Sequence, residues 1–174
     1  MNTLLEDVQA VLSTTPERWQ RLVSTLPIDL LTRPPVAGEW SALNCLRHLL
    51  DSERLAWPIR LHAFLAGQDL DAINPHQQDA SPDSQTPEQL VAVFAHYRQE
   101  SLVLLKQVKD DDLGRSAQHP RMGTVTLAEM LHTWAAHDLM HTVQAERALM
   151  QPFILGCGRW RPSFRDHESG VLKE

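Results

Sequence analysis

Two histidines four residues apart, His137 and His141, are the residues of this chain best placed by type and spacing to do chemistry. On a helix, four residues turn a side chain by about 40° and raise it by about 6 Å. Both imidazoles then point the same way and can chelate one divalent ion. A third histidine, His48, lies on a separate predicted helix that opens at Glu39-Trp40-Ser41-Ala42. Two ligands from one helix and one from a neighbour leave an open coordination position, which catalytic metal sites require. Spacing leaves the third ligand undecided, because Cys45, one turn before His48, is a rival. The alternative for the pair is two core histidines satisfied by water or by Asp and Ser neighbours.

The carboxylates around the histidines suggest supporting roles. Asp138 lies about 100° from His137 around the helix, a position from which it could hold the outer nitrogen of an imidazole on a neighbouring helix. Asp51 and Glu53 follow His48 at three and five residues. Glu53 is a candidate base toward metal-bound water, although a solvated helix carboxylate is its simpler role. His132 is about 140° from His137 and cannot share a centre with it. His62, His76, His96, His119 and His167 read as surface or loop residues, His119 in a turn with Pro120. No Gly-x-Ser-x-Gly elbow, phosphate-cradling glycine loop or dinucleotide fingerprint is present. The zinc-protease pattern His-Glu-x-x-His is also absent.

The elements that must position these residues read as helices. Thr15-Pro16-Glu17 predicts a cap and a first-turn proline for a helix over about 16–26, with a separate short helix over about 3–13 before it. A breaker-rich connection spans 27–38. Ser41 caps a largely apolar helix that ends near Gly67 and is bent or broken by Pro58. A polar, turn-rich surface loop is expected over 68–85. Thr86-Pro87-Glu88-Gln89 is a capping box, and the helix behind it presents Leu90, Phe94, Tyr97, Ser101, Leu104 and Val108 on one face. A second capping box, Thr126-Leu127-Ala128-Glu129, opens a last helix running to about Met150. Its inward seam should be Leu127, Met130, Trp134, His137, His141, Gln144 and Ala148, so the histidines are core residues. Period-two alternation is missing, and no strand is expected. The fold class is therefore all-α, a four-helix bundle with a short extra N-terminal helix and an irregular C-terminal tail.

Composition fits that reading. The 174 residues suit a single domain, with a core over about 16–150. The net charge of −6 with scattered basic residues argues against nucleic acid as a partner. No segment approaches the roughly 18 apolar residues of a membrane span, and the first residues lack the basic start and apolar run of a signal peptide. Two cysteines, Cys45 and Cys157, form no disulfide framework and no CxxC motif. A cytoplasmic setting with reduced thiols is expected.

Gly38-Glu39-Trp40-Ser41-Ala42 followed by His48-Leu49-Leu50-Asp51-Ser52-Glu53 resembles the second-helix signature of the DinB-like, damage-inducible family of metal-binding bundles. Leu127-Ala128-Glu129-Met130-Leu131 leading into His137-Asp138-Leu139-Met140-His141-Thr142-Val143-Gln144 resembles that family's closing helix. His119-Pro120 ahead of Gly123-Thr124-Val125-Thr126 resembles its preceding turn. The resemblance covers about 16–150 and implies an up-down bundle paired as a homodimer. It also implies a divalent metal, zinc or nickel, held by His48, His137 and His141. Activities implied are a transferase or isomerase dependent on a low-molecular-weight thiol, or a hydrolase, acting on a small-molecule substrate. A non-catalytic, stress-related metal- or ligand-binding bundle is the alternative. A thiol carrying a carboxylate would want a cation beside the metal, for which Arg47 and Arg54 flank His48 in sequence.

Overall fold

The computed structural model describes residues 3–71 and 85–170. Most of the loop expected over 68–85, and His76 with it, lies outside the described residues. The first helix, α1 (Leu4–Thr25), is continuous through Pro16 and opens on a Thr3–Glu6 capping box. The separate short helix expected before it is therefore part of α1. The buried positions Leu5, Val8, Leu12, Thr15, Trp19 and Val23 step by three and four across the proline, so one apolar seam spans both halves. Pro16 has no N–H to give the Leu12 carbonyl. That carbonyl instead accepts from Arg98 Nη1 at 3.0 Å, so the backbone group freed by the proline is satisfied from another helix.

A short α2 (Ile28–Thr32) occupies the breaker-rich connection. Ser41 and Asn44 form a capping box for α3 (Ala42–Leu55), and Pro58 separates it from α4 (Trp57–Ala66), as expected. Gly67 closes α4 in the left-handed region at φ 67°, where a side chain would be strained. Next come α5 (Pro87–Leu105) and α6 (Leu127–Gly156), each behind its expected capping box. α6 continues past Met150 through Pro152. The tail then forms a 3₁₀ run (Gly158–His167), fastened where Arg147 and Gln151 donate to the His167 carbonyl.

The absence of strands is corrected. β1 (Ser116–His119) pairs antiparallel with β2 (Gly123–Thr126), with Ala117 opposite Val125. Strands of four residues are too short to show alternation in sequence. Only Ala117 of this hairpin is buried.

α1 packs on α5 and α6, and α3 packs on the same two helices, so α1 and α3 face each other across the bundle. Two apolar clusters fill the interior. One gathers Leu12, Trp57, Leu61, Phe64 and Trp134; the other gathers Trp19, Cys45, Leu46, Leu49 and Phe94. Arg98 touches a ring of each, Phe94 at 5.0 Å and Trp134 at 5.8 Å, and so marks a polar layer between them.

Candidate metal centre

His48 on α3 and His137 and His141 on α6 converge in that layer. Their candidate ligand nitrogens all lie within 4.8 Å of one another. His48 Nε2 is 3.0 Å from His137 Nε2, and the three rings are 4.4–5.0 Å apart at their centroids. Two nitrogens this close need either a proton or a cation between them. Nitrogens each about 2.0–2.1 Å from one zinc ion lie roughly 3 Å apart, so the pair fits a shared ion. His48 and His141 are buried and His137 is half-buried.

Burial favours the neutral, metal-binding form of His137 and His141. It pushes His137 down to about 3, helped by His141, His48, Arg98 and Arg60. Burial also lowers His141, opposed by its bond to Gln144 and by Asp138. His141 Nδ1 lies 2.9 Å from Gln144 Oε1; donation to that oxygen leaves Nε2 free for a ligand bond. The pH consequence follows from the sign of the His137 shift. Its folded value, about 3, is below the ordinary 6.5, so the unfolded chain takes up the proton first as pH falls. Stability from the neutral ring is present above about 6.5 and is lost progressively as pH falls toward about 3. In the metal-free protein, His137→Gln is expected to flatten this part of the stability profile, measured by urea unfolding at a series of pH values. An unchanged slope would contradict it.

Aromatic rings wall the centre. Trp40 stacks on His141 at 5.6 Å and lies 5.0 Å from His48, while Trp57 meets His137 edge to face at 5.2 Å. Neither tryptophan was legible as a site residue, because Trp40 precedes a helix cap and Trp57 sits at a helix break.

The expected supporting cast changes. Cys45, the rival ligand, is fully buried in the second apolar cluster, where burial pushes its thiol up to about 12. No fourth His, Cys, Asp or Glu joins the cluster among the described residues. Asp138 does not orient an imidazole, and Glu53 is not a solvated carboxylate. Both are fully buried and both grip Arg98. Arg98 Nε and Nη2 donate to Glu53 at 3.0 and 2.9 Å, and Nη1 and Nη2 donate to Asp138 at 2.6 and 3.0 Å. With the bond to Leu12, all five guanidinium N–H groups are used, and one side chain ties α5 to α1, α3 and α6. Burial raises the Glu53 carboxyl, opposed by Arg98, and the nearby Asp138 charge adds a smaller push in the same direction.

The seam expected on α5 ran through Tyr97; the buried residue is Arg98. A charged residue at a core position is discounted in reading periodicity, and the proline that calls for it lies 82 residues earlier. Arg54 lies over the Tyr97 ring at 5.7 Å. Arg98 and Arg60 are cations whose charge acts on His137. His62, His96, His132 and His167 are exposed, and His119 is half-buried in the hairpin, where its Nδ1 accepts from the Arg121 and Met122 amides.

Residues 12–145 match the sequence profile of the DinB superfamily. No curated protein matches the chain. Among solved structures, YfiT from Bacillus subtilis, described as a probable metal-dependent hydrolase with an unusual four-helix bundle topology, is similar. It is 21% identical with a TM-score of 0.72, over 86% of this chain and 87% of that one. A mutant of the mycothiol-dependent maleylpyruvate isomerase is similar at 15% identity and a TM-score of 0.61. That match covers 83% of this chain and 63% of the other, so the chain spans less than two thirds of the isomerase. These likenesses establish the shared bundle fold.

Proposed function

The chain belongs to the DinB superfamily, and from that premise we propose that it is a divalent-metal-dependent enzyme transferring or rearranging small molecules with a low-molecular-weight thiol. The observation that carries the metal is the convergence of His48, His137 and His141 with no fourth His, Cys, Asp or Glu beside them among the described residues. Zinc or nickel held by these three histidines would supply Lewis-acid chemistry, lowering the pKa of a bound thiol or water. The protein's own part is to orient His141 through Gln144 and to exclude water with Trp40 and Trp57.

The fate of the carboxylates favours the thiol over the hydrolase. A hydrolase would use Glu53 or Asp138 as a base toward water, and both are committed to Arg98. A thiolate is itself the nucleophile and asks for no such base. Hydrolysis is the second reading, favoured by the likeness to the probable hydrolase YfiT.

The test begins with protein made without a histidine tag. Elemental analysis should find about one zinc or nickel ion per chain. The loaded protein should then accelerate transfer of a low-molecular-weight thiol to a chloronitroaromatic acceptor. Ester hydrolysis without thiol would install the second reading. Metal with neither reaction would leave a non-catalytic binding protein, and a chain that takes up no metal after supplementation would end the metalloenzyme reading.

The proposal includes a cytoplasmic setting, consistent with free Cys45 and Cys157, and a homodimer. No described helix is long and apolar enough to cross a membrane. On α6, Leu139, Val143 and Phe153 expose apolar side chains at helical spacing. Light scattering should report a dimer that Val143→Glu converts to monomer; a monomeric wild type removes the homodimer.

A further inference from the structure

Arg60 is a half-buried cation with no anionic partner among the described residues. It stands on α4 with Cζ 5.4 Å from the Trp57 ring centroid, and Trp57 in turn contacts His137. Its Nε is buried without a hydrogen-bond partner. By contrast, Arg98 pairs with Glu53 and Asp138, Arg115 with Asp112, and Arg161 with Glu168. Stacking over an indole engages the face of a guanidinium and leaves its N–H edge available. Burying that edge unpaired is unfavourable, which is the signature of a group kept for a ligand.

Its location says which ligand. One indole separates Arg60 from the His137 ring. The helix that carries Arg60, α4, packs against both α6 and β1. The planar fork of a guanidinium matches a carboxylate with two parallel hydrogen bonds.

We propose that Arg60 is an anion-recognition residue that receives the carboxylate of a short ligand whose other end reaches the three-histidine centre. The inference rests on the metal-centre reading above. Either the thiol or its acceptor could carry the carboxylate; the shared chemistry is a carboxylate a few bonds from the group at the metal.

The test uses cobalt-loaded protein titrated with 3-mercaptopropionate, 2-mercaptoethanol and propionate, following the cobalt absorption bands and the thiolate-to-cobalt charge-transfer band. Wild type should bind 3-mercaptopropionate roughly tenfold more tightly than 2-mercaptoethanol, the scale of a hydrogen-bonded charge. Arg60→Met should erase that preference and leave 2-mercaptoethanol unchanged, which also shows the centre intact. Arg60→Lys should retain part of it. An Arg60-dependent response to propionate with none to either thiol would place the carboxylate on the acceptor and support the same role for Arg60. Equal thiol affinities in wild type with no propionate response, or a preference that survives in Arg60→Met, would overturn the proposal while leaving the metal centre standing. Failure to load cobalt would remove the metal reading and this one together.

Discussion

Arg98→Met should destabilise the protein by about 3–5 kcal/mol, the range for removing one partner of a buried ion cluster. The magnitude comes from what is left behind. Glu53 and Asp138 would remain in the core, both fully buried, with no cation between them, and the Leu12 carbonyl would lose the donor that replaces the proline-deleted bond. For a chain of this size the melting temperature should fall by roughly 2–4 °C per kcal/mol. The pH dependence has a definite sign. Glu53 is already raised by burial in the wild type, and without Arg98 it should rise further. A carboxyl raised in the fold contributes stability below its unfolded value and loses it as pH rises through the folded value. The variant should therefore recover relative to wild type as pH falls below neutrality. Adding Glu53→Gln and Asp138→Asn should restore part of the loss by removing the stranded charges. A melting temperature within experimental scatter of wild type would mean that the cluster does not hold the helices together.

His137→Leu should abolish metal binding and leave the metal-free protein at least as stable as wild type. The wild-type centre places buried imidazoles against one another, with His137 Nδ1 lacking any hydrogen-bond partner. An apolar side chain of similar size relieves that desolvation, the usual exchange of stability against function at a binding site. His48→Ala should also lose the metal, whereas Gln144→Ala should weaken it about 10–100-fold, as expected when a ligand histidine loses its orienting partner. Competition against a chromophoric chelator gives the affinities and calorimetry gives the stabilities. Metal present at about 1,000 times its dissociation constant should add roughly 4 kcal/mol to wild type and nothing to His137→Leu. If His137→Leu kept full metal affinity, the centre would have been assigned to the wrong residues. If it unfolded the metal-free chain, the histidines would be structural.

The elements were legible because each is announced locally. The capping boxes at Thr86 and Thr126 are pairs of polar groups three residues apart, and both open helices where expected. Pro16 misled for an instructive reason. Thr15-Pro16-Glu17 carries the local chemistry of a helix start, but a continuous seam and a distant guanidinium outweigh it. The hairpin was invisible because its strands are four residues each and only Ala117 reaches the core.

What the chain determined by itself was a helical bundle with His137 and His141 on one face, since a helix converts a spacing of four into shared direction. His48 as their companion came from motif resemblance, because nothing in its own helix distinguishes it from Cys45 three residues earlier. Only the tertiary structure separated these two, sending Cys45 into the apolar cluster and His48 to the pair. It alone paired Glu53 and Asp138 with Arg98, and it alone set Arg60 against Trp57. Helical periodicity is fixed by backbone hydrogen bonds within a few residues. Which side chains from four different helices meet is fixed by how those helices pack, and no local spacing encodes it.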